Sequence, residues 1–320
     1  MNVLITGGAG FIGSSLVEYH LKKQDTVYVL DDLSTGYEKN IKVFLFDPNF
    51  HFIKADVLIY PDLEKIVFLA DRIYHLAAVV GMFRVLKESE HVLAVNVGTA
   101  ERLLQLARRS TRKPRFLMIS TSEVYGIAHE SPLKENSNLI VSSISANRSA
   151  YAISKITAES YALAYFHQFD VPITILRLFN TIGPRQMGQY GMVVPRFVKK
   201  AVAQEPLIVY GTGKQKRCFI DVRDVVCLMD EIAGNPEWIG EIVNLGSNQE
   251  ISINELASLV KKIARSSSEI QHITYEKAYG QKFEDYQVRV PDLTKLKKHT
   301  QYHRQWDLER TLRDLIFPPN

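Results

Sequence analysis

The segment Ser149–Lys155 contains a tyrosine and a lysine spaced four residues apart. On a helix, Tyr151 and Lys155 would share one face. A lysine ammonium beside a phenol favours the phenolate, which can accept a proton from an alcohol. Thr121, at the end of an expected strand, can donate a hydrogen bond to the same alcohol. These residues could therefore oxidise a secondary alcohol if a cofactor accepts the hydride.

The start of the chain has a dinucleotide-binding pattern. Other Tyr–Lys pairs with the same spacing occur in this sequence, and the presence of a cofactor site is what makes a catalytic role for Tyr151 and Lys155 credible. An expected strand, Met1–Thr6, runs into a glycine-rich turn and then into a helical pattern. Gly8, Gly10 and Gly13 satisfy the G-x-G-x-x-G fingerprint in this context. Glycines let the backbone approach a pyrophosphate, and the helix N-terminus supplies N–H donors. The expected cofactor contacts in this turn are Gly7, Gly10, Phe11, Ile12 and Gly13.

Two acidic residues, Asp31 and Asp32, end the next expected strand. An acidic residue about 20 positions past such glycines binds a ribose 2′-hydroxyl. Two acids without an adjacent arginine would repel a 2′-phosphate, so the sequence predicts NAD rather than NADP. Asp56 and Val57 follow another strand and could meet the adenine, and Ala78 begins a run of small residues suited to a cofactor lying across strand ends.

Strands and helices alternate through the first half of the chain, which predicts an α/β fold with a doubly wound parallel sheet of the Rossmann type. The site should lie at the carboxyl ends of the strands. After residue 178 this alternation breaks. We therefore expect an NAD-binding domain at 1–178, with 213–238 returning to it. Residues 179–212 and 239–320 should form a smaller, discontinuous α/β domain that binds substrate.

Composition narrows the protein class. The 320 residues are 46% hydrophobic and 23% charged, which suits one large or two closely joined domains. Two cysteines indicate a reducing compartment, so we expect a cytoplasmic protein. Dispersed lysines and arginines, with a net charge of +4, argue against nucleic-acid binding. No apolar run suits a membrane span, no targeting peptide precedes the first strand, and no metal site is expected.

Together the motifs resemble the extended short-chain dehydrogenase/reductase superfamily, and within it the nucleotide-sugar epimerases, dehydratases and decarboxylases. The resemblance covers nearly the whole chain. The matching stretches are Gly7–Gly13, Asp31–Gly36, His75–Ala78, Asn96, Ser120–Gly126, Tyr151 to Lys155, and Arg177–Arg185.

This resemblance implies tightly held NAD and transient oxidation at C4 of a sugar attached to a nucleoside diphosphate. It implies that Thr121, Tyr151 and Lys155 are catalytic. It also implies a homodimer packed through two helices per subunit, near 90–109 and 150–167. Further cofactor contacts implied by it are Ser34, Gly36, Leu76, Ala77, Asn96 and Ile119.

Three polar residues in the second half, Asn180, Arg185 and Arg217, could face a diphosphate. The planar guanidinium of arginine matches phosphate geometry, although each arginine could instead form a surface ion pair. By resemblance, Asn180 and Arg217 align with residues that hold the substrate's phosphates.

The reaction is narrowed by Ser122-Glu123, by Arg148 and by Arg289, which are similar to positions in UDP-glucuronate decarboxylases. Oxidation at C4 of a glucuronate makes a β-keto acid, which loses CO2 readily because the carbanion is stabilised as an enolate. A cation must orient the carboxylate, a role for Arg289 and also for Arg148. An acid or a positioned water must reprotonate C5, a role for Glu123 with Ser122. The expected product is a UDP-pentose such as UDP-xylose.

Other outcomes remain open from the sequence. The first alternative is a 4-epimerase acting on a UDP-hexose or a UDP-uronate, and the second is a 4,6-dehydratase. A catalytically silent NAD-sensing protein would be expected to lack part of the Tyr/Lys/Thr set, and this chain keeps all of it. Arg148 and Arg289 could also be ordinary salt-bridge or capping residues.

Overall fold

A computed structural model describes residues 1–127, 130–141, 149–188, 192–279, 288–301 and 303–318, without the side chains of Met82, Phe83, Tyr279 and Val288. Arg148, a predicted substrate contact, lies outside these residues. The strands are β1 (Asn2–Thr6), β2 (Thr26–Asp31), β3 (Phe50–Lys54), β4 (Arg72–His75), β5 (Arg115–Thr121), β6 (Ile173–Leu178), β7 (Thr181–Ile182), β8 (Leu207–Tyr210), β9 (Lys216–Cys218), β10 (Ile220–Asp221), β11 (Ile242–Leu245), β12 (Glu250–Ser252), β13 (Ile270–Ile273) and β14 (Val288–Arg289). The helices are α1 (Phe11–Lys22), α2 (Leu63–Leu69), α3 (Met82–Lys87), α4 (Ser89–Arg109), α5 (Ser149–Phe169), α6 (Val193–Val202), α7 (Val222–Gly234), α8 (Ile253–Ile263), α9 (Tyr275–Tyr279), α10 (Thr294–His299) and α11 (Leu308–Ile316).

The centre of the described chain is a seven-stranded parallel sheet in the order β11-β6-β5-β4-β1-β2-β3. Its strands are largely apolar because helices cover both faces; every residue of β6, for example, is buried. Helices α1 and α7 pack on one face, and α2, α4 and α5 pack on the other. The predicted α/β doubly wound fold is therefore confirmed.

The order of the strands changes direction between β1 and β4. Strands β2 and β3 extend the sheet on one side of β1, whereas β4, β5 and β6 extend it on the other. In such sheets a crevice opens at this switch point, outside the carboxyl ends of the strands. The fold therefore places Thr6, Asp31 and Thr121, each at the end of its strand, along one edge.

A second, smaller core lies in the later part of the chain, where helices α6, α8 and α11 pack around β8. Strand β8 pairs with β13, and β9 lies between β12 and β14. Helix α8 begins with a capping box, in which the Ser252 hydroxyl accepts from the Glu255 N–H at 3.2 Å and the Glu255 carboxylate accepts from the Ser252 N–H at 2.8 Å. Its apolar face, including Leu256 and Val260, is fully buried.

Two of the expected domain boundaries differ from the structure. Strand β11, which we expected in the substrate domain, pairs in parallel with β6 and so belongs to the large sheet. Strand β9, which we expected in the returning segment, pairs with β12 and β14 in the smaller sheet. A short apolar run marks β11 as a strand, whereas β9 has no such pattern. In both cases only long-range pairing decides which sheet the segment joins. None of the described helices has an apolar stretch long enough to cross a bilayer.

Candidate active site

A cavity of about 600 Å³ opens at the carboxyl edge of the large sheet and continues to the smaller core. Most of the predicted site residues of the described chain line it. Those that do so are Gly7, Gly10, Phe11, Ile12, Gly13, Asp31, Asp32, Ser34, Asp56, Val57, Leu76, Ala77, Ala78, Ile119, Thr121, Ser122, Glu123, Tyr151, Lys155, Asn180, Arg185, Arg217 and Arg289.

The turn between β1 and α1 requires glycine. Gly7 has a φ of +74°, and a Cβ there would lie 2.8 Å from the Ala77 nitrogen. A Cβ on Gly13 would lie 2.1 Å from the Gly7 carbonyl oxygen. Gly10 caps α1 and supplies no side-chain acceptor, so the N–H groups of the first turn can face a ligand. This cradle fits the pyrophosphate of a dinucleotide.

Asp31 ends β2 beside this turn. Its carboxylate accepts hydrogen bonds from the backbone N–H groups of Ala9 at 2.9 Å and Leu33 at 2.8 Å. Burial, and to a lesser extent the neighbouring charge of Asp32, raise the pKa of the Asp31 carboxyl above its ordinary value. Asp32 accepts from the Ser34 N–H at 2.8 Å. Two acids at this position fit a ribose with free hydroxyls, as NAD has.

Two predicted cofactor contacts, Gly36 and Asn96, lie behind the residues that line the cavity. A Cβ on Gly36 would lie 2.8 Å from a carboxylate oxygen of Asp31. The Asn96 side chain accepts from the Val79 N–H at 2.7 Å and donates to the Ser154 hydroxyl at 3.1 Å. Both residues therefore support the wall of the cavity, and a direct contact with the cofactor stays a prediction.

Thr121 and Tyr151 meet inside the cavity. The Thr121 hydroxyl accepts from the Glu123 N–H at 3.2 Å, and this leaves its O–H available as a donor. Burial raises the pKa of the Tyr151 phenol well above its ordinary value, and the charge of Glu123 raises it further. A hydrogen bond with Thr121 acts in the opposite direction. The phenol is therefore protonated at neutral pH in the protein as described.

Lys155 lies one helical turn after Tyr151 on α5 and is buried. Its ammonium donates to the Ile119 carbonyl at 2.8 Å. Burial lowers the pKa of Lys155 to about 8, although the charge of Glu159 opposes this shift. The ammonium is thus fixed to β5. The effect that we expected from the spacing, in which the ammonium favours the phenolate of Tyr151, stays a prediction.

Glu123 and Ser122 belong to a short 3₁₀ turn, Ser122–Tyr125, that directly follows β5. Ser122 is buried, whereas Glu123 is partly exposed in the cavity beside Tyr151. The turn begins where Thr121 caps it, so Thr121 and Glu123 are held in a fixed relation. This geometry provides one carboxyl group next to the predicted base.

Arg217 and Arg289 are neighbours across the smaller sheet. They are direct partners in the parallel pairing of β9 with β14, so both side chains leave the sheet on the same side. Both line the cavity. Two arginines at paired strand positions suit a doubly charged anion such as a diphosphate. Arg289 could therefore bind a phosphate instead of the sugar carboxylate that we expected it to contact.

Like Arg217, whose guanidinium donates to the Lys216 carbonyl at 2.8 Å, the other two predicted substrate contacts, Arg185 and Asn180, have protein partners. The Arg185 guanidinium is paired with the Glu18 carboxylate on α1, at the rim of the cavity. The Asn180 amide donates to the Cys218 carbonyl on β9 at 2.9 Å. Asn180 therefore links the large sheet to the strand that carries Arg217.

One buried pair near the site was missed by the sequence analysis. Glu159 lies four residues after Lys155 on α5 and binds Arg177 on β6 at 2.7 Å. The only sequence signal was the continued spacing of four residues, Tyr151, Lys155 and Glu159, along one face of the helix. Arg177 begins one of the stretches that resemble the family, but nothing in the sequence indicated its partner, which lies 18 residues away.

The parallel sheet, the glycine cradle with its acidic partner and the Thr/Tyr/Lys group define a Rossmann-type scaffold suited to bind a dinucleotide beside a proton-transferring group. The chain belongs to the NAD dependent epimerase/dehydratase family, whose model matches residues 3–246. It is thus an enzyme of this family with NAD as its cofactor, as the sequence predicted.

Two curated relatives are decarboxylases. The chain is 37% identical over 318 residues to UDP-N-acetyl-alpha-D-glucosaminuronate decarboxylase of Bacillus cytotoxicus, which covers 98% of this chain and 96% of the relative. It is 37% identical over 299 residues to UDP-glucuronic acid decarboxylase 2 of Arabidopsis thaliana, covering 93% of this chain and 63% of the relative.

An enzyme of solved structure that has a different activity has the same fold as this chain. It is UDP-glucuronic acid 4-epimerase from Bacillus cereus, in complex with UDP-glucuronic acid and NAD. The two chains superpose with a TM-score of 0.87 at 28% identity, covering 99% of each. The fold is therefore shared by enzymes that decarboxylate and enzymes that epimerise nucleotide sugars.

Proposed function

We propose that the protein decarboxylates a UDP-glucuronate-type sugar and releases a UDP-pentose, with UDP-xylose as the product from UDP-glucuronate. The observation that carries this proposal is the position of Glu123. It lies in the cavity beside Tyr151 and immediately after Thr121. A 4-epimerase needs no acid at this position, whereas a decarboxylase must return a proton to C5. The two decarboxylases at 37% identity support the same choice.

Each polar residue of the cavity has its own step in the proposed decarboxylation. Tyr151 first loses its own proton to solvent. The phenolate then takes the proton from the C4 hydroxyl, while Thr121 donates a hydrogen bond to the same oxygen. Bound NAD supplies the acceptor for the hydride. The resulting β-keto acid loses CO2, and Glu123, directly or through water with Ser122, reprotonates C5. Tyr151 then returns its proton when the C4 ketone is reduced.

The phosphates and the sugar carboxylate both require cations. Arg217 with Arg289 forms the pair best placed for the diphosphate, and Asn180 supports the strand that holds Arg217. The sequence resemblance assigns the carboxylate to Arg289, with Arg148 as a second cation. Arg185 is paired with Glu18, and its contact with a phosphate stays a prediction.

The deciding experiment is product analysis after incubation with UDP-glucuronate, UDP-N-acetylglucosaminuronate, UDP-galacturonate and UDP-glucose. We expect CO2 and a UDP-pentose, or its 2-acetamido form, from at least one of the three uronates, as detected by mass spectrometry. A product of unchanged mass would identify an epimerase, and loss of water from a hexose substrate would identify a 4,6-dehydratase. If none of the uronates is consumed, the proposal fails.

We also propose a homodimer built through α4 and α5. These helices pack against each other, and Leu93 on α4 is 37% exposed. Sedimentation should give the mass of two chains. A charged substitution, Leu93→Glu, should shift the protein toward the monomer, whereas Val43→Glu, at an exposed position in the connection between β2 and β3, should not. A monomeric parent protein would contradict this proposal.

A further inference from the structure

A buried ion pair lies directly behind the catalytic residues and has no role in the chemistry above. Glu159 on α5 and Arg177 on β6 have side chains only 5% and 4% exposed. Arg177 binds both carboxylate oxygens, through Nε at 3.0 Å and Nη2 at 2.7 Å. The Ser120 hydroxyl also donates to this carboxylate. Buried charges are rare in proteins, so a pair at this position needs a reason.

Helix α5 and strand β5 hold both Lys155 and Glu159. Glu159 lies one turn beyond Lys155 on α5, on the same helical face. The Lys155 ammonium donates to the carbonyl of Ile119, and the next residue of β5, Ser120, binds Glu159. Consecutive strand residues therefore fix the ammonium and the carboxylate side by side. Glu159 is the charged group that opposes the loss of the Lys155 proton caused by burial.

We propose that Glu159, oriented by Arg177 and Ser120, is a positioning residue that keeps the Lys155 side chain charged and directed at the Ile119 carbonyl. This inference rests on the proposed function in one respect only, which is that the proposed reaction uses Lys155. The inference itself concerns the charge state of this lysine, which can be measured without any substrate.

Arg177 explains how the Glu159 carboxylate can stay ionised in the core and attract the Lys155 ammonium. An isolated buried carboxyl group favours its neutral form, which would not attract the ammonium. The two-pronged contact from Arg177 favours the ionised form and fixes the orientation of both oxygens. Arg177 is itself held, because it donates to the Glu135 carbonyl at 3.0 Å and lies 4.8 Å from the centre of the Tyr125 ring.

The other titratable groups around Lys155 are less suited to this role. His75 on β4 is neutral, because burial, together with the charge of Lys155, lowers its pKa to about 3. Tyr151 on α5 is protonated, as described above. Glu123, in the turn after β5, acts on Tyr151 and is not among the groups that shift Lys155.

The test measures the protonation of Lys155 directly. Trace labelling with acetic anhydride across neutral to alkaline pH, followed by mass spectrometry of the peptide that contains Lys155, gives the midpoint at which the amine becomes reactive. The variant Glu159→Gln/Arg177→Met removes both charges, so neither is left unpaired in the core. We expect its midpoint to fall by ~1 pH unit relative to the parent protein.

A matched control removes another buried pair. Arg72→Met/Asp230→Asn eliminates a pair whose side chains are 15% and 10% exposed, at the opposite edge of the sheet. Its Lys155 midpoint should equal that of the parent protein. An unchanged midpoint in the folded Glu159→Gln/Arg177→Met protein overturns the inference. If that variant does not fold, the isosteric Glu159→Gln gives the same comparison, and we expect the same direction of shift.

The inference and the proposed function can fail separately. Labelling requires neither NAD nor a nucleotide sugar. An unchanged midpoint would refute the role of Glu159 even if the enzyme releases CO2. A lowered midpoint would support that role even if no uronate is consumed.

Discussion

At the scale of single residues, the chemistry depends on one phenol whose surroundings oppose its ionisation. Burial and Glu123 raise the pKa of Tyr151, and Thr121 only partly offsets them. The phenol must therefore lose its own proton before it can accept one from the substrate. A positive charge beside it, such as the nicotinamide ring of bound NAD would supply, favours that loss, so we expect the base to form only when the cofactor is bound.

The substitution Tyr151→Phe removes this hydroxyl and keeps the ring. We expect the rate of nicotinamide reduction, followed by absorbance at 340 nm, to fall by at least ~100-fold, with NAD binding retained. Tyr165→Phe, on the same helix but packed against Phe169, is the control and should keep full activity. Unchanged turnover in Tyr151→Phe would refute the role given to Tyr151.

Glu123→Gln tests the later step. The amide keeps the shape of the side chain but cannot deliver a proton to C5. We expect oxidation at C4 to proceed while the following steps slow by ~10-fold or more, so a 4-keto sugar accumulates. Mass spectrometry of quenched reactions would detect it. Equal loss of every step, with no intermediate, would mean that Glu123 serves only to shape the cavity.

At the scale of elements, the glycine turn after β1 is set by contacts that leave no room for a side chain. Gly13→Ala would place a methyl group against the Gly7 carbonyl. We expect NAD affinity to fall by ~10-fold or more, because the turn must shift away from the pyrophosphate. Calorimetric titration would measure this. Gly98→Ala on α4 meets only the tip of Leu58 and should bind NAD normally.

Elements governed by local patterns could be predicted from the sequence. The strand Ile242–Leu245 coincides with a short, mainly apolar run of the sequence, a local pattern that marks a buried strand. Its membership of the large sheet could not be predicted, since it depends on pairing with β6. The Gly7–Gly13 turn was predictable for the opposite reason, because strand, turn and helix are adjacent in the chain.

Most of the predicted residues that line the cavity in the described chain belong to local motifs, namely the glycine turn, the strand ends and the Tyr–Lys spacing on α5. The Glu159–Arg177 pair and the pairing of Arg217 with Arg289 could not be predicted, because each joins residues that come together only in the folded sheet.

At the scale of the whole molecule, a buried polar contact joins the large sheet to the segment that carries Arg289. Asn244 on β11 accepts from the Tyr125 hydroxyl at 2.6 Å and donates to the Leu133 carbonyl at 2.9 Å. Leu133 in turn donates to the Val290 carbonyl at 2.8 Å, directly after Arg289. Asn244 therefore helps to place one wall of the substrate site.

Asn244→Ala should loosen this connection. Two buried groups would lose their partner, at a cost in unfolding free energy of ~1–3 kcal/mol each. We expect weaker binding of UDP but little change in the binding of NAD, as measured by calorimetry, with urea unfolding as the stability readout. Asn235→Ala, which removes the cap of an exposed turn, is the control. Equal losses for UDP and NAD would contradict this assignment.

The pairing of β9 with β14 has a practical consequence for anyone who wishes to redirect this enzyme. Arg217 and Arg289, which both line the cavity, come from parts of the chain more than 70 positions apart, yet they occupy paired positions on neighbouring strands. A chimaera that borrows only one of these stretches from a relative would combine halves shaped for different sugars. Successful grafts should exchange both stretches at once.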